Sequence, residues 1–137
     1  MVQKISLMDA YLIETARNAG YTGEDILLKI SKKEIEDLQS LHDQFDYVEL
    51  YPLFQSGKLK TVLAEGYQVK FLTFPGLLNL IRLKYKKFKE KDFLVDEFVI
   101  KKLVLNENEK QDLETWMSPN WRMTEGKEGI EIRPVNT

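Results

Sequence analysis

The chain has 137 residues, 43% hydrophobic and 31% charged, with 20 basic against 22 acidic side chains, one histidine and no cysteine. That length suits a single core, and the composition excludes a disordered chain and a disulfide-stapled one. A charged residue interrupts every hydrophobic run before the eighteen or so consecutive apolar residues of a membrane span, so none is expected.

Asp9 breaks the apolar stretch after Lys4 before a signal-peptide core can form, which points to a cytoplasmic protein. Lysine outnumbers arginine 16 to 4, as the coding bias of an AT-rich bacterial genome produces. Ser6 precedes an apolar pattern of Leu7, Ala10, Tyr11 and Ile13, with Asp9 as the capping acid, and Gly20 supplies the stop: a helix is predicted over 7–19. Gly23, Glu24 and Asp25 open a second helical piece through Ile30. Ser31 with Glu34 reads as a capping box ahead of Ile35, Leu38, Leu41, His42 and Phe45, and predicts a third helix over 31–45.

Tyr47 to Phe54 carries Pro52, which either starts a short helix or kinks the previous one, and Gln55-Ser56-Gly57 is a turn. Residues 58–65 fit helix or strand. Over 67–74 the β-formers dominate, so a strand is predicted there. Pro75 then suits the first turn of a helix whose apolar face is Leu77, Leu78, Ile81, Tyr85 and Phe88, although Leu77, Ile81, Leu83 and Tyr85 also share a strand parity. A strand is expected near 98–105, a helix over 107–117 capped by Asn106 and stopped by Ser118-Pro119, and a last edge strand carrying Ile130 and Ile132. No linker, repeat or low-complexity tract divides the chain, so 1–137 reads as a single compact domain. The expected class is α+β: a helical N-terminal half, then a small antiparallel sheet with two further helices.

For chemistry the inventory is restrictive. Without cysteine and with His42 alone, a two-histidine metal site or a thiolate nucleophile is excluded, and a Ser-His-Asp arrangement would depend on a histidine lying beside an apolar stripe. Six carboxylates, Glu34, Glu36, Asp37, Asp43, Asp46 and Glu49, fall within sixteen residues, a density typical of a solvated helix face. The glycine patterns of phosphate loops and the nucleophile elbow are missing, and no cofactor or metal is expected.

Two features bear on nucleic acid. Ala16, Gly20 and Ile26 match helix-turn-helix packing positions, yet Glu24 and Asp25 would face the phosphates, so the segment reads as a helical corner. Residues 82–91 hold six positive charges, Arg82, Lys84, Lys86, Lys87, Lys89 and Lys91, against one negative, with Tyr85 and Phe88 interleaved. If Leu78, Ile81, Tyr85 and Phe88 face inward, then Arg82, Lys86 and Lys89 form one outer ridge. Such a ridge solubilises a helix end or meets phosphates, lipid headgroups or an acidic protein surface. Its complement is the stretch 24–49, with eight acids against three lysines, which can pair with the ridge within one chain or between copies. Finally, Trp116, Trp121 and Arg122 bracket a helix end and turn with the residue types of interface hot spots, in competition with core packing.

The expectation is therefore a small bacterial non-enzymatic interaction module that contacts another protein or itself. A nucleic-acid-associated protein using the basic ridge 82–91 is the alternative, and an enzyme with a carboxylate site comes third.

Overall fold

The computed structural model describes residues 2–42 and 44–135, and their contacts gather into two units, one ending at Gln68 and the other beginning at Val69. Among the described residues no helix is long and apolar enough to cross a membrane.

In the first unit, strand β1 (Gln3–Ile5) leads into helix α1 (Leu7–Asn18), where the extended Ser6 accepts the Asp9 N–H at 3.1 Å through its hydroxyl. Ala10, Leu12, Ile13 and Ala16 recur at helical spacing and are fully buried. Helix α2 (Gly23–Ser31) starts from a complete capping box: Thr22 Oγ1 accepts from Asp25 N, and Asp25 Oδ2 accepts from Thr22 N, both at 3.0 Å. Its buried positions are Ile26 and Ile30, one turn apart. The chain continues through α3 (Glu36–Gln39), a 3₁₀ turn at Tyr47–Leu50, α4 (Tyr51–Gln55) and α5 (Lys58–Glu65). Strand β2 (Tyr67–Val69) then pairs with β1 in a two-stranded sheet. Tyr47 donates its hydroxyl to the Leu12 carbonyl at 2.8 Å, and burial pushes its phenol up to about 12. The buried Glu14 carboxylate accepts from Tyr67 Oη at 2.6 Å and lies 3.2 Å from Arg17 Nη1.

The third helix expected over 31–45 is reduced to the four residues of α3. Ser31 is the last residue of α2 and not an N-cap: its hydroxyl donates to the Leu28 carbonyl at 2.9 Å. Lys33 turns left-handed at φ 58°, and Glu34 N–H bonds the Lys29 carbonyl at 2.9 Å, so the expected box residues close one helix instead of opening another. His42 lies exposed beyond α3, its ring stacked 4.0 Å from Phe45. Asp43 lies outside the described residues.

In the second unit, the expected strand over 67–74 stops at Val69. Thr73 instead caps helix α6 (Phe74–Tyr85), accepting from Gly76 N at 3.1 Å, with Pro75 in the first turn. After it come β3 (Leu94–Asp96), β4 (Val99–Leu103), α7 (Glu107–Trp116, with Asn106 and Glu109 as its capping box), β5 (Trp121–Gly126) and β6 (Gly129–Pro134). The four strands form an antiparallel sheet in the order β3-β4-β6-β5. The architecture is α+β, with most helices in the N-terminal half. Strand β6, expected at an edge, sits inside the sheet. Its Ile130 and Ile132 face Leu103 and Ile100 of β4, and all four are buried. Gly129 adopts φ 133°, and a Cβ there would lie 2.9 Å from the Leu103 carbonyl oxygen.

Candidate functional site

Ile26, Leu27 and Leu28 are three consecutive apolar residues on a helix, and a helix cannot turn all three inward. Ile26 is buried, Leu27 half-buried, and Leu28 is left 52% exposed. Opposite α2 runs α5, which buries Leu59 and Val62 and leaves Leu63 at its flank. A Cβ on Gly23 would stand 3.4 Å from the Leu63 Cβ, so the two helices approach closely at that end. At the other end Gly57, left-handed at φ 80°, lets α4 turn directly into α5 and brings Phe54 alongside. Two recesses of about 550 and 540 Å³ result. Leu27, Leu28 and Phe54 line the first; Leu27, Leu63 and Ala64 line the second. Glu24, Leu27 and Lys60 border both, so the recesses read as one apolar groove with an acid and a base at its waist.

The predicted helical corner is present, with Glu24 and Asp25 in the first turn of α2, and hydrogen bonds from the Thr22 backbone and hydroxyl hold the Asp25 carboxyl below its ordinary range. Among the described residues the remaining carboxylates of the acidic stretch do not converge: Asp37 pairs with Lys29 at 3.0 Å, Asp46 accepts from Val48 N at 3.0 Å, and Glu34, Glu36 and Glu49 are exposed. Among the described residues no group of three acidic or histidine side chains is placed to hold a metal ion.

The basic segment does not form a ridge on one helix. Helix α6 ends at Tyr85, and Lys86 turns left-handed at φ 57°. Arg82 is exposed on the last turn. Lys84 is drawn inward, its side chain 9% exposed and 3.3 Å from Asp112. Tyr85 Oη donates to the same carboxylate at 2.6 Å and accepts from Trp116 Nε1 at 2.9 Å, and burial first, then Asp112, pushes its phenol well above the ordinary range. Beyond Lys86 the chain folds on itself: Phe88 N donates to Asp92 Oδ2 at 2.8 Å, Asp92 N to Phe88 O at 2.8 Å, and Glu90 N, at φ 65°, to Phe93 O at 2.7 Å. Phe88, expected inside, is 44% exposed, with the Lys91 ammonium 5.8 Å from its ring centroid. The helical pattern that placed it inside no longer applies, because the helix has ended three residues earlier.

Both tryptophans of the 116–122 corner are buried, Trp116 at 1% and Trp121 at 8% exposure. Their corner clamps the backbone of one residue, Leu72, in the preceding loop. Ser118 Oγ accepts from Leu72 N at 3.0 Å and hydrogen-bonds Asn120 Oδ1, while Asn120 Nδ2 and Trp121 Nε1 donate to Leu72 O at 3.0 and 2.9 Å. Arg122, exposed on the edge strand β5, pairs in register with Arg133. The groove residues Leu28, Phe54 and Leu63 were not singled out by sequence; the run of three apolar residues at 26–28 was the available signal. Comparison with protein-family models, curated proteins and solved structures gives no match for this chain.

Proposed function

We propose that the chain is a non-enzymatic protein-interaction module that receives an amphipathic helix of a protein partner in the groove between α2, α4 and α5. The observation that carries this reading is Leu28, a large aliphatic side chain 52% exposed at the mouth of an apolar recess of about 550 Å³. The nine residues of α2 extend the groove over roughly 13–14 Å, enough for anchors at i, i+3 or i+4, and i+7 of a facing helix. Glu24 and Lys60, of opposite sign at the waist, would fix its direction by meeting complementary charges.

The test compares Leu28→Glu with Val48→Glu. Val48 is 47% exposed on the 3₁₀ turn and does not line the groove, so the second variant carries the same added charge elsewhere. Proteins retained from lysate by the wild-type chain should be retained by Val48→Glu and lost by Leu28→Glu. Equal retention by both variants rejects the groove. A light-scattering dimer that only Leu28→Glu dissociates would make the occupant a second copy of this chain.

A further inference from the structure

Four cations fall within eight residues at the end of α6 and make no ion pair with a described residue, as is also true of Lys70, Lys91, Arg122 and Lys127 in the same unit. Lys84 pairs with Asp112, Lys101 with Asp96, Lys102 with Glu128, and Lys110 with Glu107 and Glu125. Arg82, Lys86, Lys87 and Lys89 make no ion pair with any described residue, although the unit holds 11 acidic residues. Three of these cations sit on a loop whose shape is set by its own hydrogen bonds and by two left-handed non-glycine residues, a conformation that costs free energy and recurs where a binding surface is held in place. Phe88 turns a ring outward among them, with the Lys91 ammonium over it.

We propose that this loop is a docking surface for single-stranded nucleic acid, with Phe88 as the platform for one base and Arg82, Lys86, Lys87 and Lys89 as the phosphate contacts. Unpaired cations flanking an exposed ring within eight residues of chain match what stacking on a flexible polyanion needs. Insertion into a bilayer needs more apolar area than one half-exposed phenyl ring offers, and an acidic protein face supplies carboxylates without a planar partner for the ring. This surface shares no residue with the α2–α5 groove, and the proposal does not depend on that reading.

The experiment is fluorescence anisotropy of a labelled oligothymidylate and a labelled oligouridylate of about twenty nucleotides with the full chain. Four phosphate contacts on a single strand give a slope of log K against log salt near −3, so affinity should fall about fifty-fold between roughly 50 and 200 mM salt. Combining Lys86→Asn, which keeps a residue tolerant of the left-handed backbone, with Lys87→Gln and Lys89→Gln should bring the slope near −1 and weaken binding at least tenfold at about 50 mM salt. Phe88→Ala should cost about tenfold and Phe88→Trp should restore it, a rescue that loss of charge or of fold does not predict. The proposal is overturned if the oligonucleotides do not bind at low salt, if the triple variant binds like the wild type, or if Phe88→Ala binds undiminished. It is equally overturned if phosphatidylserine vesicles, and not the oligonucleotides, are captured through these lysines.

Discussion

The two units place their interior polar bonds differently. Up to Gln68 the chain carries 7 basic and 11 acidic residues; from Val69 onward it carries 13 and 11. In the first unit the interior polar bonds tie elements distant in the chain: Tyr47 to Leu12, and a chain from Tyr67 through Glu14 and Arg17 to the Leu63 carbonyl at 2.9 Å. In the second they converge on one corner, where Tyr85, Asp112 and Trp116 form one chain of bonds and Ser118, Asn120 and Trp121 form another around Leu72. Each unit's candidate surface lies where a periodic pattern runs out. On α2 a third apolar residue exceeds what the core can take, and past α6 the cations fall beyond the helix end.

The comparison breaks most readily at Trp116. If the second unit hangs on that corner, Trp116→Ala removes a buried indole and leaves Tyr85 with one partner fewer, at a cost of about 3–5 kcal/mol. Denaturant unfolding followed by the fluorescence of Trp121 measures it, and an unchanged midpoint would show that the ring is not an anchor. A smaller effect distinguishes two left-handed glycines. Gly129→Ala places a Cβ against the Leu103 carbonyl, adding a clash with backbone to the strain, for a loss of roughly 2–3 kcal/mol. Gly57→Ala, in the first unit, meets nothing within 4 Å and should lose only the strain, about 1 kcal/mol, so equal midpoints for the two variants would refute the steric account.

The smallest effect belongs to Tyr47. Tyr47→Phe deletes one buried hydrogen bond, worth about 1 kcal/mol near neutral pH. The pH dependence gives a sharper reading. Burial raises the folded-state phenol to about 12 from 10.0, so the folded chain holds its proton more tightly than the unfolded one. That contribution is complete below pH 10 and is lost as pH rises through about 12. Stability should therefore fall across this window in the wild type and less steeply in Tyr47→Phe, with Tyr85, Lys29 and Lys110, all raised as well, contributing to the remaining slope. Parallel pH profiles would mean that Tyr47 ionises freely in the fold.

Local chemistry made several elements legible. Ser6 and Asn106 both cap the helices expected of them, and Pro75 sits in the first turn of α6, because caps and first-turn prolines act within a few residues. The failures lie where distant groups decide. Residues 70–73 have strand-forming side chains, yet Leu72 gives its backbone to Ser118, Asn120 and Trp121, more than forty residues away in the chain. Ser31 and Glu34 have capping-box spacing, but the backbone between them is completing a helix, and spacing alone carries no information on φ and ψ. Of the candidate surface, the composition of 82–91 was visible and its shape was not. Lys84 was separated from its neighbours by Asp112, and Phe88 was turned outward by a loop whose hydrogen bonds no periodicity encodes. The residue types at Trp116 and Trp121 suit an interface as well as a core, and the bonds their N–H groups make explain why both are buried.

The clamp on Leu72 has a kinetic consequence. That amide belongs to no helix or strand, and amides in such loops ordinarily trade their hydrogen with water quickly. Here its acceptor is the hydroxyl of Ser118, itself 1% exposed, so the hydrogen can leave only when the turn after α7 opens. The Leu72 proton thus serves as a clock for that opening: its exchange rate should track those of the buried β4 and β6 amides, and Ser118→Ala should release it while leaving the sheet protected.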